Sequence, residues 1–283
     1  MRAKSWCYKK IGLVYHPLNE QAIAQAQKIA EQLSRTEILH WLCSAWEAND
    51  ILERLDGTDL IITCGGDGTI LRVAQIASRT GVPILGINLG RLGFMTELTT
   101  AEADKQLDKI LSGIGWIEER AMLKATIQPA NGRESAQSFH ALNDVVIARG
   151  EIARIVHIES KIDGHFFATY RADGVLVATA TGSTGYSLAA CGPVLYPESP
   201  NFVLTPIMPH LTMRYPLVLP ASTSINLTLK TVHPATLSID GHISLPLGDG
   251  DSLIVESSTF KTRFLRLRAR GYFYQLLNQK LKG

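Results

Sequence analysis

Leu60-Ile61-Ile62-Thr63-Cys64-Gly65-Gly66-Asp67-Gly68-Thr69-Ile70-Leu71-Arg72-Val73-Ala74-Gln75-Ile76-Ala77 joins an apolar run, a glycine turn and a second apolar segment without a break. It reads as strand, tight turn and helix. In an open α/β sheet, ligands collect beyond the carboxyl ends of the strands, and the free amides of a helix N-terminus attract phosphate. The three glycines Gly65, Gly66 and Gly68 let a phosphate approach the backbone closely. A carboxylate repels a bare phosphate, so Asp67 suits a different task there, accepting a proton from a hydroxyl or orienting it. Asp is also a favoured N-cap, and a helix cap is the plain alternative, although a cap needs no three glycines around it. Gly-Lys-Ser and Gly-Lys-Thr are absent, which excludes a P-loop. A dinucleotide fingerprint begun at Gly66 would require glycine or alanine where Leu71 stands.

The 283 residues are 46% hydrophobic and 19% charged, enough for one large or two medium domains with a substantial core. A formal net charge of +2 gives no reason to expect a nucleic-acid or membrane surface, and points to a small-molecule partner. Cys7, Cys43, Cys64 and Cys191 lack the paired spacing of a zinc site and read as reduced cysteines. The start lacks an apolar stretch of signal-peptide length, and no apolar run reaches membrane-spanning length, so a soluble cytoplasmic protein is expected.

Strands are expected at Ile11–Tyr15, Glu37–Cys43, Asp59–Cys64 and Val82–Asn88. A helix is expected from Asn19 to Leu33 with its face at Ile23, Ala26, Ala30 and Leu33, and another from Thr100 to Leu111. This alternation predicts an α/β N-terminal domain with a doubly wound, mostly parallel sheet over residues 1–113. From Trp116 to Leu267 the chain changes to short Val-, Ile-, Thr- and Phe-rich runs. They are punctuated by Asp163-Gly164, Asp173-Gly174, Asp240-Gly241 and Gly248-Asp249-Gly250, which predicts a mostly antiparallel, all-β domain over 114–267. Its one helical interruption, Ser187 to Cys191, follows the hydroxyl-rich turn Thr181-Gly182-Ser183-Thr184-Gly185-Tyr186, a candidate phosphate or sugar cradle. Residues 268–283 form a last segment with a helical apolar face, expected to pack back on the N-terminal domain.

Five segments in this order resemble the NAD kinases: Gly65–Thr69, Asn88–Phe94, Leu142-Asn143-Asp144, Thr179–Leu188 and Thr205–His210. The resemblance runs through most of the chain. It implies the NAD kinase/diacylglycerol kinase-like fold and transfer of the terminal phosphoryl group of ATP to the 2′-hydroxyl of the adenosine ribose of NAD, giving NADP. It further implies that Asp67 accepts the hydroxyl proton while the amides around Gly66 and Gly68 hold donor phosphates. Asn143 and Asp144 would bind the nucleoside part of NAD; a β-turn is the alternative for that pair. Tyr186, with Thr184, Gly185, Ser187, Leu188 and Ala189, would contact ribose and phosphate. Arg72, Arg154 and Arg171 match positions where the family often has a basic residue near phosphates, with solvated surface arginines as the alternative. Phe94 would line the adenine or nicotinamide pocket, or simply pack. His242 would lie near the substrate phosphate, and Asp173 would reach a nucleotide across a subunit interface, which implies a homodimer or homotetramer. Family members commonly carry proline at Ala180 and alanine at Gly185, so a looser hydroxyl-rich turn is expected here.

The Gly-Gly-Asp-Gly turn is also shared, by resemblance, with phosphofructokinases and with lipid kinases of the diacylglycerol and sphingosine type. A lipid kinase would need a membrane-facing surface that the composition does not advertise. A non-catalytic NAD(P)(H)-binding sensor on the same scaffold would be expected to lose the base, and Asp67 is present. No cluster of Asp and Glu marks a protein cage for a metal. A divalent cation, Mg²⁺ by expectation, would therefore ride on the donor phosphates with few protein ligands. The sequence leaves open whether polyphosphate can replace ATP and whether NADH is accepted.

Overall fold

A computed structural model describes residues 6–90, 92–130, 135–151, 154–231 and 233–282. The chain forms two compact units, one running to Glu119 and resuming at Thr262, the other running from Arg120 to Lys261. Turn signals place the boundaries after Gly113 and Leu267. The two compact units divide inside long strands, which carry no composition change to mark the division.

The first unit alternates β1 (Lys10–Tyr15), α1 (Glu20–Leu33), β2 (Leu39–Ser44), α2 (Ala48–Arg54), β3 (Leu60–Cys64), α3 (Asp67–Ala77), β4 (Ile84–Asn88), β5 (Leu98–Thr99) and α4 (Thr100–Leu111). Its strands run in the order β2-β1-β3-β4, all parallel, with β5 parallel beside β4 and Phe264 paired in parallel with Ile84. Every residue of β3 is buried, as a parallel strand covered on both faces requires. Asn19 caps α1 by accepting from the amides of Gln21 and Ala22, and Thr99 with Glu102 forms a reciprocal capping box on α4. The buried face of α1 is Ala22, Gln25, Ala26, Ile29 and Leu33, so the expected stripe is turned: Ile23 and Ala30 sit on its rim. Gln25 joins the inward face because its amide donates to Asp104 on α4 at 3.1 Å.

The second unit contains β6 (Trp116–Gln128, from Arg120 on), β7 (Gln137–Ala141), β8 (Asp144–Arg149), β9 (Val156–Ile162), β10 (His165–Ala172), β11 (Gly174–Ala178), α5 (Tyr186–Ala189), β12 (Phe202–Ile207), β13 (Leu217–Leu219), β14 (Ile225–Leu229), β15 (Ala235–Ile239), β16 (Ile243–Leu247) and β17 (Ser252–Arg266, to Lys261). One antiparallel sheet runs β13-β12-β11-β8-β15-β16. A second antiparallel set runs β10-β9-β14-β17, with β6 and β7 paired antiparallel. Both contribute to one buried cluster that includes Val145, Ile158, Tyr170, Val177, Phe202, Leu227 and Leu237. Each fully buried aliphatic side chain there contributes about 1.5–3 kcal/mol.

Asp163-Gly164 and Asp240-Gly241 are tight hairpin turns, with φ of 50° and 80° in the first and 50° and 70° in the second. Asp173-Gly174 is not a hairpin. Gly174 opens β11, in a different sheet from β10, and its glycine identity has another cause: a Cβ there would collide with the Ile147 carbonyl of β8. The last helix, α6 (Tyr272–Leu281), belongs to the first unit, where Leu276 is buried and Phe273 stands 6.3 Å from Phe94 between ring centroids.

Candidate active site

In the first unit, β3 delivers the chain into Gly65 and Gly66, and α3 begins at Asp67. Gly66, not Asp67, is the N-cap, which removes the plain capping explanation for the aspartate. Its carboxylate turns instead to the loop after β4. Oδ2 accepts from the Phe94 amide at 2.9 Å, and Oδ1 from the Met95 and Thr96 amides at 3.2 and 3.3 Å. Three N–H donors fix the plane of the group. Gly93 lies so close that a Cβ there would overlap the Asp67 carboxylate, and its own amide donates to the Thr96 hydroxyl at 2.7 Å.

A Cβ at Gly65 would strike the Thr69 hydroxyl, so that glycine is demanded by packing. Gly66 and Gly68 are exposed, with open space where a side chain would point. The Thr69 amide donates to the Gly66 carbonyl at 3.0 Å, and the amides ahead of it, at Asp67 and Gly68, begin a turn with no intrahelical acceptor to reach, an anion-accepting backbone beside the fixed carboxylate. Arg72 lies further along α3, its guanidinium 5.7 Å from the Trp46 ring centroid. The Phe94 ring faces α6, with Lys280 Nζ 5.8 Å from its centroid. Arg91 of the same loop lies outside the described residues.

In the second unit, Asn143 and Asp144 sit where the chain enters β8, and they are built around a residue that sequence reasoning passed over. The Asp240 carboxylate accepts from the amides of Leu142, Asn143 and Asp144 at 2.9, 2.7 and 3.2 Å. Asp144 and Asp240 are both buried. Burial, with the charge of Asp240 behind it, pushes the Asp144 carboxyl up to about 7. Burial also raises Asp240, opposed by its three amide donors and by His242. Those amides make Asp240 the better home for a negative charge, so Asp144 is the acid that takes the proton. His242 Nδ1 lies 3.2 Å from the Asp240 carbonyl.

This carries a pH prediction. Asp144 binds its proton more tightly folded than unfolded, so its contribution to stability is fully present below the unfolded value near 4 and is lost as pH rises through about 7. Asp144→Asn removes that slope. The melting temperature of the variant relative to the parent should be higher at pH 8 than at pH 5, by about 5 °C or more. An identical difference at both pH values would show that Asp144 does not titrate in this window.

The hydroxyl-rich turn is tied down throughout. Thr179 Oγ1 donates to the Leu142 carbonyl at 2.5 Å, Ser183 Oγ to Ala180 O at 2.6 Å and Thr184 Oγ1 to Thr181 O at 3.1 Å. Arg120, buried, donates to Thr181 Oγ1 at 3.1 Å. None of these bonds uses a side chain at Ala180 or Gly185. Gly182 is demanded by its neighbour, since a Cβ would overlap the Asn143 carbonyl. Ser187 is fully enclosed, its hydroxyl 3.5 Å from Thr205 Oγ1, so a ligand contact from Ser187 would come through its backbone. Gly185, Tyr186 and Ala189 are exposed, and Thr184 and Leu188 partly so. Asn143 Oδ1 is buried with no hydrogen-bond partner among the described residues, an expensive arrangement unless something donates to it.

Three basic or acidic positions lie elsewhere on the second unit. Arg154 and Arg171 are exposed, and Asp173 pairs with Arg149 at 3.4 Å. Sequence reasoning missed Gly93, Thr96, Arg120 and Asp240. Gly93 stood within a quoted motif, and Asp240 within a turn signal that masked its second role.

A fixed carboxylate beside an open glycine turn, in a chain that also carries a glycine- and hydroxyl-rich turn next to an unsatisfied buried amide, is the equipment of a kinase that phosphorylates a hydroxyl of a nucleotide. Residues 43–114 match the ATP-NAD kinase N-terminal domain and residues 142–267 the ATP-NAD kinase C-terminal domain. The chain belongs to the NAD kinase family. It is 49% identical to the NAD kinase of Dehalococcoides mccartyi strain CBDB1 over 276 residues, covering 98% of this chain and 97% of that one. To the NAD kinase of Natranaerobius thermophilus it is 36% identical over 286 residues, covering 97% and 98%. Among solved structures it is similar to yeast NADH kinase complexed with NADH, with TM-score 0.85, 26% identity and coverage of 97% of this chain and 88% of that one. It is also similar to an NAD kinase from Archaeoglobus fulgidus in complex with ATP, with TM-score 0.72, 28% identity and coverage of 95% and 98%.

Proposed function

We propose that Asp67 is the base of an NAD kinase reaction, in which the adenosine-ribose 2′-oxygen of NAD forms a bond to the terminal phosphorus of ATP. The bond from that phosphorus to the departing ADP oxygen breaks, and the hydroxyl proton passes to Asp67. The observation that carries the reading is the three-amide clamp on the Asp67 carboxylate, in a chain of this family. Phosphoryl transfer gains chiefly from positioning and charge stabilisation, and a pre-aligned carboxylate beside free amides supplies both. Asn143, Asp144 and the turn from Thr184 to Ala189 hold the nucleoside, while Arg72, Arg154, Arg171 and His242 serve the phosphates.

Among the described residues, Cys43, Glu47 and Asp50 could together hold an ion, but the thiol makes that set a poor match for Mg²⁺. Mg²⁺ belongs on the donor phosphates, where it neutralises charge. Homo-oligomerisation with Asp173 at a subunit contact, a cytoplasmic location and a role in NADP supply complete the reading.

Acceptor specificity tests it. NAD should exceed AMP in kcat/KM by a wide margin, because binding energy from the remote half aligns the reacting hydroxyl. Asn143→Ala removes the acceptor Oδ1 and should lower kcat/KM for NAD several-fold to about tenfold per bond lost. Equal kcat/KM for AMP and NAD in the parent would show that the site is not shaped for a dinucleotide.

A further inference from the structure

The loop that clamps Asp67 is itself held from behind. Arg266 is 6% exposed, and its guanidinium reaches three acceptors in the first unit: Glu118 Oε2 from Nε at 2.7 Å, and the Met95 carbonyl and Glu97 Oε2 from Nη1 at 2.9 and 3.2 Å. Glu97 is buried too, and its other oxygen accepts the amides of Leu267 and Arg268 at 2.8 and 2.7 Å. Its own amide donates to the Gly86 carbonyl of β4 at 2.8 Å. Met95 thus carries a hydrogen bond on each side, its N–H to Asp67 and its C=O from Arg266.

We infer that Arg266 is a positioning residue for the phosphoryl-transfer step, fixing the 94–96 amides, and through them the Asp67 carboxylate, in register. The inference rests on the reading of Asp67 as base. A buried ion pair alone would be weak grounds, because such pairs often add little to stability. What singles out Arg266 is the third donor direction, spent on the carbonyl of the residue whose amide holds the base. Lysine offers a compact charge on a flexible stem and does not reproduce that fork.

The test is Arg266→Lys, alone and combined with Asp67→Asn. The single variant should lose about 10- to 100-fold in kcat, with KM for NAD and ATP within about twofold of the parent. In the Asp67→Asn background the same change should cost less than about threefold, because the group it positions is already gone. Amide NMR resonances of Phe94, Met95 and Thr96 should move in Arg266→Lys, a readout independent of turnover. Should Arg266→Lys fail to fold, Glu97→Gln, which disturbs the guanidinium through Nη1, should show the same kcat loss and the same non-additivity. Unchanged kcat in the folded variant, or a full-sized loss that persists without the Asp67 carboxylate, overturns the inference while leaving the Asp67 reading intact. Parental turnover in Asp67→Asn alone overturns both.

Discussion

Asp67→Asn is expected to lower kcat by about 10²–10⁴, the usual contribution of a positioned acid or base, while leaving the fold and most NAD affinity in place. The amide side chain is nearly isosteric, and its oxygen can still accept from part of the clamp formed by the Phe94, Met95 and Thr96 amides. Its NH₂ end has no acceptor among those donors, so some stability is lost. That cost should stay near 1–3 kcal/mol, the range for one unsatisfied partly buried polar group. Steady-state kinetics with separate KM values, alongside thermal melts, check it. A variant that turns over at close to the parental rate removes Asp67 from the chemistry.

Gly93→Ala should be almost as damaging to turnover while the chain still folds. The added methyl would overlap the Asp67 carboxyl atoms, and a side chain can move aside where a backbone cannot. Gly93 does not occupy a left-handed conformation, so alanine brings no backbone strain. The carboxylate is therefore expected to swing out of its amide clamp, with a fall in kcat of about 10²-fold for a displacement near 1 Å. The melting temperature should fall by several degrees, because the displaced carboxylate leaves the Phe94, Met95 and Thr96 amides without their acceptor. Parental kcat with a collapsed melting temperature would reverse this account and make Gly93 a purely structural glycine.

What was legible in the sequence was what local chemistry decides. The Gly65–Thr69 turn announced strand, turn and helix because an apolar run meets glycines and then a helical period. The helix expected from Thr100 to Leu111 is α4, and Asp163-Gly164 and Asp240-Gly241 made hairpins because both residues of each adopt positive φ. Asp173-Gly174 has the same composition but a different cause, a backbone pressed against Gly174, and no local pattern separates the two.

Long-range geometry stayed hidden. Asp67 was readable as a carboxylate at a strand-to-helix glycine turn, yet the amides that hold it arrive from a loop 27 to 29 positions downstream, and the arginine behind that loop contacts Met95 across 171 positions. Asp240 likewise organises Leu142 to Asp144 from nearly a hundred positions away. The resemblance implies that Ser187 contacts ribose and phosphate. Its burial against Thr205 depends on β12, which the local sequence does not reveal.

The most direct measurement of the central claim is incubation of the purified chain with NAD, ATP and Mg²⁺, followed by separation of the products. The account predicts NADP and ADP in equal amounts, with the new phosphate on the adenosine-ribose 2′-hydroxyl and none formed by Asp67→Asn above about one hundredth of the parental rate. Binding of NAD without formation of NADP under these conditions would contradict it.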